Sequence, residues 1–268
     1  MKKIKNAALY VKSKYDLLAA KKYTTLAGTL VFFLIMSVMP LAFWVSLLFG
    51  RFEVGVEDVL RMNVFDSVKS IIDYIRAEAK NATMGASVFL AASTLYSATN
   101  LFYQMRKSGE IIYEYKRKSG FRARLSAFVL LFITMAFVAL SLAIFAVGSF
   151  LSAWFFSGAA ETIVNYLLLG GISFALVFLL NAYVCPYRMP MKSFLPGTVI
   201  TVIAWAASLL GFAIYLQIGN VGQLYGALSA VIVFLLWLYI LMICFVSGVI
   251  LNSERILAER KLLNTQDE

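Results

Sequence analysis

Between Lys192 and Glu254 the chain carries no charged residue, a run more than twice the roughly 20 residues that a helix needs to cross a bilayer core. Shorter uncharged runs lie between Lys22 and Arg51, Lys80 and Arg106, Arg124 and Glu161, and Glu161 and Arg188. The long run is interrupted by Gln217-Ile218-Gly219-Asn220-Val221-Gly222-Gln223, whose polar and glycine residues read as a turn. Six spans are therefore predicted, near 25–49, 83–105, 126–152, 164–186, 195–217 and 226–251. The expected fold class is all-α, an integral membrane bundle of six transmembrane helices. Composition points the same way. Charged residues make up 14% of the chain, where soluble domains carry about a quarter.

The residue inventory narrows the chemistry. Histidine is absent, which removes Ser-His-Asp triads, imidazole acid/base chemistry and HExxH zinc sites. Cys185 and Cys244 stand alone, without a CxxC, and read as packing residues. No GxxxxGK[ST] run is present. We therefore expect no catalytic residues, no metal, no cofactor and no enzymatic activity.

The positive-inside rule sets the orientation. With six spans both termini share one side. That side collects nineteen of the 24 Lys and Arg residues, from residues 1–22, the loop 106–124, Arg188, Lys192 and the tail. Only the loop 51–80 faces the other way, with five. Both termini are expected to be cytoplasmic. The net charge of +10 then reflects a basic inner surface that attracts anionic lipid headgroups, about 1 kcal/mol per cation, and no nucleic-acid partner is called for. The chain divides into a basic amphipathic cytoplasmic segment at 1–22, a membrane domain at 23–253 and a cytoplasmic tail at 254–268. The opening segment does not read as a cleavable signal, because its seven lysines are spread throughout.

Two stretches outside the spans have helical apolar periodicity. Ile4, Ala8, Val11, Tyr15 and Leu18 share one face among lysines, as in a helix lying on the inner leaflet. In the outer loop, Val56, Val59, Leu60, Val68, Ile71, Ile72 and Ile75 recur at steps of three and four, as an interfacial helix or a connector packed on its own spans. Ile111, Ile112 and Tyr115 make a shorter apolar face in the basic loop.

Within the spans, Ser93, Ser97, Asn100 and Gln104 fall at i, i+4, i+7 and i+11, one polar stripe on the second helix. Lipid does not tolerate such a stripe, so it faces protein or water. It is either interhelical hydrogen-bonding glue or the lining of a path for a polar headgroup. Ala207 with Gly211, and Gly226 with Ala230, are small-xxx-small pairs suited to close helix packing. Pro40 falls inside the first span and removes one backbone donor. No span interior holds an Asp, Glu, Lys or Arg, which argues against a buried proton relay.

Several runs occur in the order of a known family. Gly28-Thr29-Leu30-Val31-Phe32-Phe33-Leu34-Ile35-Met36-Ser37-Val38-Met39-Pro40-Leu41 resembles an "A-F-x-x-x-x-S-x-x-P-L" signature. Asn100-Leu101-Phe102-Tyr103 follows, then Pro186-Tyr187-Arg188-Met189-Pro190 as "Y-R-x-x-P", and Pro196-Gly197 with Trp205 as "P-G…W". Phe212, Tyr215, Tyr225-Gly226, Trp237-Leu238-Tyr239 and Gly248 through Asn252 complete the series. Over residues 20–255 the chain resembles the YihY/BrkB family of multi-pass bacterial membrane proteins, once labelled ribonuclease BN. The resemblance implies a six-span bundle in the bacterial cytoplasmic (inner) membrane. It also implies a role in lipid or envelope-related transport. One position departs: where members commonly read "G-A-E-L-N", this chain has Gly248-Val249-Ile250-Leu251-Asn252, with Ile250 in the acidic place. The scattered cytoplasmic acids and missing histidines oppose the nuclease label independently.

Two functions are carried forward. One is a carrier that moves a lipid or other amphipathic envelope molecule along Ser93, Ser97, Asn100, Gln104, Tyr187, Arg188, Lys192 and Asn252, with Arg188 and Lys192 attracting an anionic headgroup. The other is a non-transporting scaffold that organises lipids or partner proteins.

Overall fold

The computed structural model describes residues 2–52, 84–115, 120–155, 158–218 and 227–266. Every regular element among them is helical: α1 (Lys2–Ala20), α2 (Tyr23–Phe52), α3 (Met84–Ile112), α4 (Gly120–Phe155), α5 (Ala159–Val184), a 3-10 turn (Met191–Phe194), α6 (Leu195–Ile218) and α7 (Ala227–Gln266). Among the described residues, four helical stretches are long and apolar enough to cross a membrane: Gly120–Ser152, Ala159–Val184, Met191–Tyr215 and Ile232–Arg260. A fifth arises if Lys12–Ala20 and Tyr23–Ser37, bent by 55° at their junction, count as one. The outer-loop helices expected within 51–80 and the turn at Gln217–Gln223 fall largely outside the described residues. So does the loop core at 116–119.

Helices extend beyond the hydrophobic limits read from charge gaps. α3 continues through Arg106 and Lys107 to Ile112, and α4 begins before Arg122 and Arg124. Backbone hydrogen bonding does not stop where hydropathy does, since Arg, Lys and Glu are good helix formers in water. α7 likewise runs on through Glu254 and Arg260. α2 passes through Pro40 as one helix.

Contacts divide the chain into two compact units, Met1–Val31 with Gln104–Gly120 and Thr162–Glu268, and Phe32–Tyr103 with Phe121–Glu161. In the first, Leu26, Ala27, Leu30, Ile112, Val177, Val246, Val249, Ile250 and Ile256 form the core. α1 leaves α2 at Lys22, which holds φ 53, a left-handed conformation that costs a non-glycine residue about 1–2 kcal/mol. α3 ends the same way. Glu114 has φ 54, Glu114 N–H donates to Ile111 O at 3.3 Å and Tyr115 N–H to Glu110 O at 2.9 Å, which is the Schellman pattern. The Lys21 ammonium, next to the first of these caps, pairs with the Glu114 carboxylate at the second. Lys14 pairs with Glu254 of α7.

The second unit packs a narrower seam. On α4, Ala123, Ala127, Leu130 and Leu131 are buried, at the helical steps i, i+4, i+7 and i+8. Phe121, Leu125, Phe128, Val129, Phe132 and Ile133 on the other faces are exposed, as expected of a helix surrounded by lipid.

Candidate functional site

The tightest polar site of the first unit lies where α6 crosses α7. A Cβ on Gly197 would fall 2.2 Å from Gly248 O, and one on Gly248 would fall 2.6 Å from Gly197 O and 2.1 Å from Thr201 Oγ1. Glycine at both positions is what lets the two backbones touch. Asn252, one turn further along α7, reaches into this crossing. Its Oδ1 accepts from the Gly197 N–H at 2.7 Å, and its Nδ2 donates to Phe194 O and Asn181 Oδ1, each at 3.1 Å. Asn181 in turn donates to Val177 O at 3.0 Å. Both side chains are buried and their amides are committed to protein. Thr201 closes the seam by donating to Gly197 O at 2.8 Å, with Cys244 O at 3.4 Å as a second acceptor, and the Trp205 indole donates to Leu241 O at 2.8 Å. The close helix approach read at Ala207 and Gly211 is instead made here. Both of those residues are exposed, and no described atom lies within 4 Å of a Cβ built on Gly211.

A second cluster gathers tyrosines beyond the end of α5. The Tyr187 ring stands edge-on to Tyr113 and Tyr115, with centroids 6.1 and 5.3 Å away. The Arg260 guanidinium lies 3.9 Å above the Tyr187 ring, and the Tyr187 hydroxyl donates to Tyr113 O at 3.4 Å. Tyr113 is 1% exposed. Its hydroxyl sits beside the Cys185 thiol and has no oxygen or nitrogen partner among the described residues. Burial pushes both the Tyr113 hydroxyl and the Cys185 thiol above their ordinary values. Gly109 admits the α5 terminus here, because a Cβ on it would sit 2.0 Å from Val184 O. Arg188 and Lys192 are exposed beyond this cluster.

Along the polar stripe of α3, a main-chain contact at Ser97 is followed by open amides at Asn100 and Gln104. In the second unit, the Ser97 carbonyl accepts from Ser37 Oγ at 3.1 Å, and Ser37 also bonds to Phe33 O at 2.6 Å. Ser37 is fully buried. Asn100 and Gln104 are half-buried, and their side-chain amides make no hydrogen bond with a described residue. Ser93 lies on the same helix. The candidate path residues thus fall in both units: Ser93, Ser97 and Asn100 in the second, and Gln104, Tyr187, Arg188, Lys192 and Asn252 in the first.

Among the described residues, no group of three or more His, Cys, Asp or Glu is placed to hold a metal ion. Sequence reasoning passed over Tyr113, Asn181, Arg260 and the Gly197–Gly248 contact. Only Tyr113-Glu114-Tyr115, a tyrosine pair at the end of a basic helix, offered a local signal. The rest are joined by contacts between residues far apart in the chain.

Comparison with curated proteins and with solved structures returned no match. The model of one family, described as Virulence factor BrkB, matches residues 15–268. That range takes in both glycines of the α6–α7 crossing, Asn252, the tyrosine cluster and the α3 stripe. The match covers nearly the whole chain, and the chain therefore belongs to the BrkB family.

Proposed function

We propose that this BrkB-family protein is a six-span protein of the bacterial inner membrane, with both termini cytoplasmic, that binds and moves a lipid or similar amphipathic envelope molecule. One observation carries the reading. Asn100 and Gln104 hold half-buried amides on a 29-residue helix and leave them without a described protein partner. Inside a bilayer each unsatisfied polar group costs several kcal/mol, so a stripe of this kind needs a polar occupant, and a headgroup supplies one. The six-span count is supported by α2 and α3, which are 30 and 29 residues long. At 1.5 Å per residue each exceeds the hydrocarbon thickness of about 30 Å. The charge bias of the loops supports the orientation. The exposed Arg188 and Lys192 draw anionic headgroups to the inner boundary. Asn252 contributes to holding α6 and α7 together, because its amide is already satisfied. No step of this function requires bond making, and the protein acts without an enzyme's catalytic group or a cofactor.

The test is leaflet exchange. Purified protein in liposomes is given a fluorescent phosphatidylglycerol, and the fraction protected from an external quencher is followed in time. Wild type should accelerate exchange, and Asn100→Leu and Gln104→Leu should slow it while leaving the yield of folded protein unchanged. A wild type that leaves exchange at the protein-free rate refutes the carrier.

The hydrogen bond between Ser37 and Ser97 O favours a second reading. It fastens α2 to the main chain of α3 alongside the stripe, which suits a scaffold that organises lipids or partner proteins without moving them. Lipid that stays bound to protein incapable of exchange would select this reading.

A further inference from the structure

Arg124 is the fifth residue of α4, and the sequence presents it as one more boundary charge. Its side chain does something more specific. The guanidinium lies 5.2 Å from the Tyr96 ring centroid and 5.1 Å from that of Tyr103. These two tyrosines are seven residues apart on α3, about 10 Å along the axis, and a cation close to both rings is bracketed between them. It therefore sits level with Thr99 and Asn100, six positions before Arg106, the first charged residue of α3. Asn100 lies between Tyr96 and Tyr103 along the helix axis, and the three share one face at the i, i+4, i+7 spacing. The positive charge missing from every span by sequence is thus brought to the flank of the polar stripe by the neighbouring helix, within the same compact unit.

The arrangement leaves the cation available. Arg124 is exposed, Tyr96 is 55% exposed, and no carboxylate among the described residues pairs with Arg124. Contact with two aromatic faces steadies a planar guanidinium by about 0.5–1 kcal/mol at each exposed ring. It does not consume the five N–H donors in the guanidinium plane. A planar fork with free donors and no counter-ion matches the oxygens of a phosphate group. Thr99 does not compete, because its hydroxyl is spent on Tyr96 O at 2.7 Å.

We propose that Arg124, seated between Tyr96 and Tyr103, is the headgroup site of this protein and takes the phosphate of an anionic phospholipid, with Asn100 beside it to bond the polar remainder. The site rests on the lipid-handling reading and names what that reading leaves open, the cation that selects the lipid. Tyr96 and Tyr103 set the guanidinium's orientation. Arg188 and Lys192 raise the local concentration of anionic lipid without recognising it.

The experiment uses the full chain in nanodiscs of equal phosphatidylcholine and phosphatidylglycerol, with native mass spectrometry of the lipid retained after extraction. Wild type should retain phosphatidylglycerol in preference to phosphatidylcholine. Arg124→Gln should lower that preference about fivefold, the equivalent of one headgroup contact. Arg124→Lys keeps the charge and should keep part of the preference. It also guards against misreading a folding defect, because both variants remove the planar guanidinium from between the tyrosine rings. Retention by Arg124→Gln equal to wild type overturns the site while leaving the lipid-handling reading intact. A wild type with no retained lipid of either kind overturns both. A further arm adds inorganic phosphate at tens of millimolar before extraction. Undiminished phosphatidylglycerol identifies the ligand as the lipid, and Arg124-dependent loss to phosphate reassigns the site to a soluble phosphate anion.

Discussion

The main-chain N–H of Gly197 donates to the side-chain oxygen of Asn252 at 2.7 Å. Gly197 stands in the first turn of α6, where a helix has N–H groups without an intrahelical acceptor. The usual remedy is a side chain just before the helix. Here Pro190 and Leu195 flank the preceding 3-10 turn with no side-chain cap, and the acceptor comes from another helix 55 residues away in sequence. One asparagine therefore both caps α6 and fastens α7 to it. Its two donors extend the clasp to Phe194 and Asn181.

Removing that amide leaves several buried groups unpaired at once. Asn252→Leu strands the Gly197 N–H and one face of Asn181, at about 1–3 kcal/mol for each buried group. The expected result is a clear drop in the detergent-solubilised melting temperature. Asn252→Asp restores the acceptor for Gly197 but turns a carboxylate toward Phe194 O and Asn181 Oδ1, and should be no more stable than the leucine variant. Melting curves of the three proteins decide this, and an aspartate variant as stable as wild type refutes the clasp.

The same crossing predicts an asymmetry between glycines. Gly248→Ala places a methyl 2.1 Å from Thr201 Oγ1 and 2.6 Å from Gly197 O, so α6 and α7 must part, at a cost of about 1–3 kcal/mol. Gly211→Ala meets no described atom within 4 Å and should be neutral or slightly stabilising, because alanine is the better helix former. Equal melting temperatures for the two variants would contradict the backbone contact.

What the sequence made legible follows from which interactions are local. Spans follow from hydropathy, so the charge-free runs locate α4 to α7 well, and family motifs locate Gly197, Gly248 and Asn252 without saying that they meet. Small-xxx-small spacing is a one-helix pattern. Ala207 with Gly211 satisfies it as well as any pair, yet only the geometry of two helices reveals which glycine has a neighbour. Arg124 was hidden for the opposite reason. Charge gaps treat every arginine as a boundary, and the side chain's reach to Tyr96 and Tyr103 is invisible until α3 and α4 are placed side by side. The sequence reads Asn100 as facing protein or water, and whether its amide has a partner depends on helices the sequence does not place.

The turn between α1 and α2 offers a test of local strain. Lys22 holds φ 53, where a β-branched side chain is strongly disfavoured. Lys22→Val should therefore destabilise the protein by about 1–2 kcal/mol, and Lys22→Gly should be neutral or stabilising, since glycine enters this region without a Cβ penalty. Both variants remove the same charge, so their difference isolates the backbone. A Gly variant less stable than the Val variant would show that the bend is held by other means.

Alkaline pH should loosen the cluster around Tyr113 and Cys185 before it affects the rest. Burial raises both groups above their ordinary values of 10.0 and 9.0, so the folded protein keeps these protons where an unfolded chain has released them. Stability falls with rising pH wherever the unfolded state binds fewer protons. The contribution is fully present below about pH 9 and is lost above it, with a limiting slope of about 1.4 kcal/mol per pH unit for each group. Melting temperatures measured from pH 8 to 11 should fall for wild type, and less steeply for Cys185→Ala and Tyr113→Phe, which have no proton to lose at these positions. The other tyrosines titrate alike in all three proteins and cancel in the comparison. Parallel pH profiles would mean that neither group is held protonated by folding, and that water reaches Tyr113 and Cys185.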